Sequence, residues 1–244
     1  MMVEKFRMYK EPELYDDIYF NVARGLNKYS KEVNAIDDLV NQCGLDKRVI
    51  DFCCGTGTHL KLFSDLGYQC TGVDINNEML RLAKIKNKNN LSIFYQGNIC
   101  DIKIKNKFPI AISMYGGFNY LETEKDVKNA LTNIYSILED DGIFILDTRW
   151  AKNQPIDVML EKRGRDLYIV RQWVLKEPDN LRDAVYKIAF IKEGADGVLM
   201  YEEHHQNFLD PIYLRTKMID VGFKNVKIYD NFDWEKEVNK NSST

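Results

Sequence analysis

Hydrophobic and polar positions in the first 150 residues follow two alternating periods. Short, almost wholly apolar runs such as "RVIDFC" (48–53) and "FPIAISM" (108–114) are typical of buried strands. Between such runs, apolar residues recur every three or four positions, as in Lys31–Cys43, which predicts amphipathic helices. Strands and helices alternate in this way as far as "GIFILDT" (142–148). The order predicts an α/β fold with a doubly wound, mostly parallel sheet.

The pattern changes after Trp150. Three β-rich segments, "DLYIVRQWVLK", "DAVYKIAFIK" and "VLMYEEHHQNF", are separated by polar turns. They predict an inserted antiparallel three-stranded β-sheet. The chain is then expected to return to the α/β unit through a helix "PIYLRTKMIDVG" and a strand "NVKIYDNF". The expected divisions are residues 1–159, the insert 160–209, and the returning segment with a polar tail, 210–244.

The turn in "VIDFCCGTGTHL" (49–60) carries the first candidate chemistry. In open α/β sheets, ligands bind at the carboxyl ends of the strands, where Gly55 and Gly57 let the backbone approach closely. A dinucleotide fingerprint needs glycine at position 60, where this chain has Leu60, and Asp51 would repel a pyrophosphate. A ligand with an ammonium group would instead find a counter-charge in Asp51.

Asp74 ends the second predicted strand, about 20 residues after the loop, where an acidic residue accepts hydrogen bonds from ribose hydroxyls. Both NAD and S-adenosylmethionine contain that ribose, so Asp74 indicates adenosine without choosing between them. Asp51 favours S-adenosylmethionine. A glycine pair on its own fits a purely structural turn equally well.

Five segments resemble, in order, the motifs of class I S-adenosylmethionine-dependent methyltransferases. These are "VIDFCCGTGTHL", "CTGVDINNEML", "YQGNICDI", "FPIAISMYGGFNYL" and "GIFILDTRW". The resemblance implies that the methionyl part of the cofactor is surrounded by Asp51, Cys53, Gly55 and Gly57. It also implies that Asp74 and Ile75 hold the ribose and flank the adenine, and that Asn98 and Ile99 frame the adenine edge. The transferred methyl group would be bordered by Met114 and Tyr115. In this chain Cys53 replaces the usual first glycine of the loop and Asn98 replaces a common aspartate.

The insert and the N-terminal segment resemble those of glycine N-methyltransferases and nucleotide-sugar N,N-dimethyltransferases, in which they cover the cofactor. This implies that Tyr15 and Tyr19 line the methyl-transfer chamber, although residues four apart also fit one packed helical face. Arg24 would meet the cofactor carboxylate. Arg149 would bind a substrate carboxylate, or would be an ordinary surface arginine.

A general base is needed for a hydroxyl acceptor more than for an amine. Tyr120 stands where these relatives often carry histidine, and it is one candidate. His204 and His205 point to opposite faces of a predicted strand, so at most one of them faces the cleft, and His205 is the second candidate.

Composition and charge limit the binding partners and the cellular location that we expect for the protein. The net charge of −3 and the absence of a basic face argue against nucleic-acid binding, and no segment is long and apolar enough to span a membrane. Five cysteines without paired spacing indicate reduced thiols and no metal site, and the polar start does not resemble a secretory signal. We therefore expect a cytoplasmic protein. The polar tail after "NVKIYDNF" predicts a sheet one strand short, whose open edge suggests a homodimer.

The predicted function is methyl transfer from S-adenosylmethionine to an amine or hydroxyl of a small polar metabolite, amino acid-like or sugar-like, with S-adenosylhomocysteine as the product. One alternative is a catalytically silent protein that binds S-adenosylmethionine for sensing or partner binding. A nucleotide-linked oxidoreductase is a second alternative, which Leu60 and Asp51 disfavour. Methylation of RNA or protein is weaker still, given the acidic balance and the covering insert.

Overall fold

The computed structural model describes residues 7–18, 25–148, 159–163, 167–177, 180–192, 198–230 and 232–238. The helices are α1 (Arg7–Lys10), α2 (Pro12–Ile18), α3 (Gly25–Cys43), α4 (Thr58–Asp65), α5 (Asn77–Lys86), α6 (Glu124–Ile137) and α7 (Pro211–Val221), with a 3₁₀ turn at Gly117–Tyr120. The strands are β1 (Arg48–Phe52), β2 (Gln69–Asp74), β3 (Ile93–Gln96), β4 (Phe108–Ser113), β5 (Leu138–Leu146), β6 (Met159–Arg163), β7 (Leu167–Glu177), β8 (Asn180–Lys192) and β9 (Val198–Gln206). Among these helices, none combines the length and the apolar character that a bilayer crossing requires.

The central sheet has the order β3-β2-β1-β4-β5, and all its neighbouring pairs are parallel. The chain moves outward from β1 to β3 and then returns to the other side of β1 for β4 and β5. The strand order therefore reverses between β1 and β4, which is where such sheets bind ligands. The predicted doubly wound parallel sheet is confirmed.

Two apolar layers cover the faces of this sheet. On one face, α3 and α4 bury Val33, Ile36 and Phe63 against Val49 and Ile110. On the other face, α6 and α7 supply a second set of buried side chains, among them Val127, Leu131, Ile134, Leu214 and Met218. The sheet is held from both sides, so its carboxyl edge forms a rigid base for a site.

Local polar signals fix where two helices begin. Asn76 accepts hydrogen bonds from the backbone N–H groups of Glu78 and Met79 at the start of α5. Thr123 and Asp126 form a capping box at the start of α6. Both helices therefore begin at residues whose own side chains bind the free backbone N–H groups.

The insert is an antiparallel sheet with four described strands, in the order β6-β7-β8-β9. The sequence pattern predicts three of these strands, β7, β8 and β9. The short strand Met159–Arg163 is not evident from the sequence and pairs with the start of β7. Its sequence, "MLEKR", contains no β-branched or aromatic residue, so its own strand propensity is low. Pairing with β7 therefore stabilises the strand.

The predicted strand "NVKIYDNF" does not form among the residues described at 225–230 and 232. The segment makes one isolated antiparallel bridge, between Tyr229 and Glu237. Phe223 packs on the apolar layer of α6 and α7, whereas Trp234 packs on the opposite layer and its indole N–H donates to the Ala35 carbonyl at 2.9 Å. Phe223 and Trp234 therefore pack on opposite faces of the sheet, and the described residues between them do not extend the sheet as a strand.

We expect the two apolar layers to dominate stability. Leu131→Ala, in a fully buried side chain of α6, should lower the free energy of unfolding by about 2–5 kcal/mol, because it removes buried methyl groups and leaves a cavity. The matched control is Leu91→Ala, since Leu91 is 92% exposed, and it should change stability by less than about 0.5 kcal/mol. Urea unfolding followed by circular dichroism measures both, and equal effects would contradict the core described above.

Candidate functional site

A tight loop connects β1 to α4 at the point where the strand order reverses. Cys53, Gly55 and Gly57 all have positive φ, at 61°, 54° and 69°. A Cβ on Gly57 would also lie only 3.1 Å from the Ala83 Cβ, so glycine is required there both by conformation and by space. The loop brings backbone close to the carboxyl edge of the sheet.

Cys53 adopts this left-handed conformation although it is not glycine, at a cost of about 1–2 kcal/mol. Its side chain is accommodated because Gly117 faces it: a Cβ on Gly117 would lie 2.7 Å from the Cys53 Cβ. Burial raises the pKa of the Cys53 thiol, and Asp74 adds to this effect. The group that replaces the usual glycine is therefore a small, neutral thiol.

Asp51 is a buried carboxylate at the end of β1, with 1% of the residue exposed. Its Oδ1 atom has no hydrogen-bond partner among the described residues. Burial raises its pKa well above the ordinary value, and the nearby carboxylates of Asp74 and Asp147 raise it further. A buried carboxyl group with one oxygen left without a hydrogen-bond partner favours a cationic ligand, which would compensate its ionised form.

Asp74, at the end of β2, is held by the loops on either side of it. Its Oδ2 atom accepts a hydrogen bond from the Gly55 N–H and its Oδ1 atom accepts one from the Asn76 N–H, both at 2.8 Å. Burial raises the pKa of Asp74, while these backbone donors act in the opposite direction. Each carboxylate oxygen can accept a further bond, so the group stays suited to a hydroxyl pair.

A cavity of about 610 Å³ opens at this edge of the sheet. That volume lies within the range of roughly 300–1,000 Å³ that is usual for small-molecule sites. The cavity brings together eleven of the residues predicted from the sequence: Tyr15, Asp51, Cys53, Gly55, Asp74, Ile75, Asn98, Ile99, Met114, Tyr115 and Tyr120.

The remaining predicted residues lie elsewhere. Gly57 shapes the loop without lining the cavity. Tyr19, Arg24 and Arg149 lie outside the described residues, so their expected roles stay predictions. His205 is exposed, on the face of β9 that turns away from the cavity.

Of the two histidines of β9, His204 and not the predicted His205 contacts a residue that lines the cavity, Tyr120. His204 is 1% exposed, and its Nδ1 atom lies 3.3 Å from the Tyr120 hydroxyl. The Tyr120 hydroxyl lies 2.6 Å from that of Tyr9, and the His204 Nε2 atom lies 3.0 Å from a carboxylate oxygen of Glu202.

Several residues that line the cavity were not predicted from the sequence. They are Tyr9, Tyr29, His59, Tyr186 and Gln206. Two-residue alternation along β9 was a usable signal for Gln206, since it shares a face with His204. Tyr9 and Tyr186 come from distant parts of the chain, and they are brought together only because helix α1 and the inserted sheet both pack at this edge of the central sheet.

Helix α2 is tied to the rest of the site by charged contacts. Lys86 Nζ, on α5, lies 2.7 Å from Asp16 Oδ2 and 2.6 Å from Thr58 Oγ1, and Thr56 also hydrogen-bonds Asp16. Arg81, one turn earlier on α5, pairs with Glu13 at 2.6 Å. Helix α2 is therefore fastened to α5 and to the glycine-containing loop together, which keeps Tyr15 at the cavity.

The fold and this site define a class of protein: a Rossmann-like fold whose cavity suits a cationic, adenosine-bearing ligand. A family model described as a methyltransferase domain matches residues 49–142, from β1 into β5. Residues 49–142 thus match a methyltransferase domain, and the donor set described above fits S-adenosylmethionine.

Curated relatives agree with this assignment. The dTDP-3-amino-3,4,6-trideoxy-alpha-D-glucopyranose N,N-dimethyltransferase of Streptomyces venezuelae is 28% identical over 137 residues, covering 55% of this chain and 56% of the relative. A glycine/sarcosine N-methyltransferase of Aphanothece halophytica is 28% identical over 195 residues, covering 76% and 69%. The chain thus spans little more than half the length of the Streptomyces relative.

Solved structures share the fold. DesVI of Streptomyces venezuelae superposes with a TM-score of 0.75 at 20% identity, covering 90% of this chain and 92% of that one. CalS10, an amino pentose methyltransferase of Micromonospora echinaspora, superposes with a TM-score of 0.71 at 16% identity, covering 82% and 86%.

We predict that Asp51→Asn weakens binding of S-adenosylhomocysteine at least about tenfold, because a neutral amide loses the charge-assisted contact with the ammonium group. Isothermal calorimetry measures the affinity. Asp65→Asn is the matched control, since Asp65 lies on the surface of α4 with its side chain 56% exposed, and it should bind as the wild type does.

The same variant should not lower the melting temperature of the cofactor-free protein. Since the pKa of Asp51 is raised on folding, the ionised group opposes folding at every pH above its unfolded value of about 3.9, and the amide removes that penalty. Thermal unfolding at neutral pH should therefore show an unchanged or higher melting temperature and a smaller upward shift with S-adenosylhomocysteine. Wild-type affinity in Asp51→Asn would contradict the role of this carboxylate.

Proposed function

We propose that the protein transfers a methyl group from S-adenosylmethionine to the amine nitrogen of a small polar metabolite. The observation that carries this proposal is the buried Asp51 carboxylate, whose Oδ1 atom lacks a partner among the described residues at a cavity that continues into a tyrosine-rich end. The chemistry of the cavity thus divides into a cofactor end and an acceptor end.

At the cofactor end, Asp51 would bind the ammonium group of the methionyl part, and Asp74 would bind the ribose hydroxyls. Ile75 is 65% exposed beside the cavity, where its side chain can cover one adenine face. Asn98 Oδ1 accepts a hydrogen bond from the Cys100 N–H at 2.9 Å, which orients its side chain beside the position implied for the adenine edge.

At the acceptor end, hydroxyl groups outnumber charges. Among its tyrosines are Tyr9, Tyr120 and Tyr186, and no lysine or arginine belongs to the described lining. Tyrosine hydroxyls both donate and accept, which suits a hydroxylated, sugar-like amine. An amino-acid acceptor is the second candidate; the arginine that the resemblance offers for its carboxylate, Arg149, lies outside the described residues.

Bound S-adenosylmethionine supplies an electrophilic methyl group on a sulfonium that leaves as a neutral thioether. The protein's task is therefore to hold the nucleophile in line and to exclude water. Tyr15 from α2 and Tyr186 from the insert both line the cavity, where their rings would help to position the acceptor and to exclude water. An amine must also be unprotonated before it can attack. The names of the curated relatives specify N-methylation, which supports nitrogen over oxygen.

The proposal predicts turnover that depends on an amine. Purified protein is incubated with S-adenosylmethionine and matched acceptor pairs: a dTDP-3-amino-3,6-dideoxyhexose against its 3-hydroxy counterpart, and glycine or sarcosine against glycolate. S-adenosylhomocysteine formation is followed by liquid chromatography. We expect product with an amine, most of it with the amino sugar, and none above background with the hydroxyl compounds.

Two outcomes would contradict this. S-adenosylhomocysteine binding without turnover of any acceptor would favour the catalytically silent alternative. Turnover with the hydroxyl compounds would assign the protein to O-methylation.

Association of two copies through a sheet edge stays a hypothesis. The candidate edge is strand β3, on which Ile93 and Tyr95 are 52% and 42% exposed. We expect light scattering to give a dimer that Ile93→Lys shifts toward monomer, because a charge opposes edge pairing. A wild-type monomer at every concentration would contradict it.

A further inference from the structure

Strand β9 carries polar side chains on its buried face. Glu202, His204 and Gln206 alternate along the strand, and the exposed fractions of these residues are 0%, 1% and 7%. Burying polar groups costs free energy unless they are hydrogen-bonded, and a lid that merely covered the cavity would be served by apolar residues here. We call these three residues the inner stripe of β9.

The hydrogen bonds of His204 fix its tautomer. A carboxylate only accepts, so the Nε2 atom, which lies 3.0 Å from Glu202, carries the proton. In the neutral imidazole the Nδ1 atom is then an acceptor, and the Tyr120 hydroxyl, 3.3 Å away, donates to it. The Tyr120 oxygen in turn accepts from the Tyr9 hydroxyl at 2.6 Å. Three hydrogen bonds therefore run in one direction, from α1 through Tyr120 to the insert.

This series of bonds meets the cavity beside an unused acceptor. Tyr9, Tyr120 and Gln206 all line the cavity, and the Oε1 atom of Gln206 is buried without a hydrogen-bond partner among the described residues. A ligand that donates hydrogen bonds fits this arrangement, because the Gln206 Oε1 atom has no partner among the described residues and the Tyr120 hydroxyl can accept as well as donate. The acceptor end of the cavity therefore suits a nitrogen with several N–H bonds.

We propose that Tyr120, His204 and Glu202 form a proton relay that deprotonates an ammonium acceptor, and that Gln206 binds a second N–H of the same nitrogen. The proposal rests on the function proposed above. One N–H bond of the ammonium group breaks and its proton passes to the Tyr120 oxygen, while the Tyr120 O–H bond breaks and its proton passes to His204 Nδ1. The nitrogen keeps the electron pair with which it attacks.

The resulting imidazolium is stabilised by the Glu202 carboxylate. Tyr120 is then the catalytic residue, and His204 and Glu202 act through it as positioning residues. The titratable groups that face His204 among the described residues are Tyr9 from α1, Tyr120 from the 3₁₀ turn, Tyr186 from β8 and Glu202 on its own strand.

The first test needs no methyl acceptor. The full chain, saturated with S-adenosylhomocysteine and labelled with ¹⁵N in histidine, is studied by NMR. The chain has three histidines, so replacing His59 and His205 in turn assigns the signals. We expect His204 to carry its proton on Nε2, Tyr120→Phe to shift its Nδ1 resonance, and Glu202→Gln to shift its Nε2 resonance, because each variant changes the group that is hydrogen-bonded to that atom.

Glu203→Gln is the matched control, since Glu203 lies on the other face of β9 and pairs with Lys187. It should leave the His204 signals unchanged. A proton on Nδ1, or an Nδ1 resonance that does not respond to Tyr120→Phe, would overturn the relay.

The second test uses the amine that the wild type methylates in the acceptor assay. Tyr120→Phe and His204→Gln should each lower kcat about 100-fold, the lower end of the usual effect of acid–base catalysis, with KM changed less than about threefold. Glu202→Gln should also lower kcat with KM changed less than about threefold, because the imidazolium loses its carboxylate partner. Glu203→Gln should retain wild-type kcat.

Wild-type kcat in Tyr120→Phe or His204→Gln would overturn the relay. Unchanged calorimetric affinity for S-adenosylhomocysteine excludes a collapsed cavity as the cause of any loss, and the conservative Tyr120→Phe keeps the ring in place should His204→Gln fail to fold. If the wild type methylates no acceptor, the proposed function fails, while the imidazole measurement still decides the relay.

Discussion

The site depends on one electrostatic constraint: a carboxylate, Asp51, buried at the end of the central strand with two other carboxylates beside it. Such a group opposes folding unless a cation compensates it. The rigid sheet keeps it in place because β1 is clamped between β2 and β4 and covered by an apolar layer on each face. The stability supplied by those layers is what allows an unfavourable charge to be kept ready for a cationic ligand.

The sequence predicts the features that local chemistry determines. The alternation of strands and helices follows from apolar periodicity, and Thr123 with Asp126 marks the start of α6 by its own hydrogen bonds. Asp51 and Asp74 are predictable as a pair because each ends a strand, and right-handed crossovers place the carboxyl ends of such strands at one edge. The cofactor end of the cavity can therefore be predicted largely from short-range sequence patterns.

The acceptor end depends on how separate units pack, and here prediction fails for a physical reason. In "EEHH" (202–205) both faces of β9 carry one glutamate and one histidine, so no apolar residue marks the inner face. Only the position of the strand against Tyr120 distinguishes His204 from His205. Packing also decides the structure of "NVKIYDNF". Its composition favours a strand, but Phe223 and Trp234, on either side of it in the sequence, pack on opposite faces of the sheet.

The single ammonium group of Lys86 connects helix α2 to the loop between β1 and α4. It binds Asp16 on α2, and it binds Thr56 and Thr58 at the loop and the start of α4. Helix α2 cannot swing away without releasing the lysine from the very loop on which the methionyl group would rest. Any movement of α2 away from this loop has to break an ion pair whose two side chains are about one-fifth exposed, so salt screens it only in part.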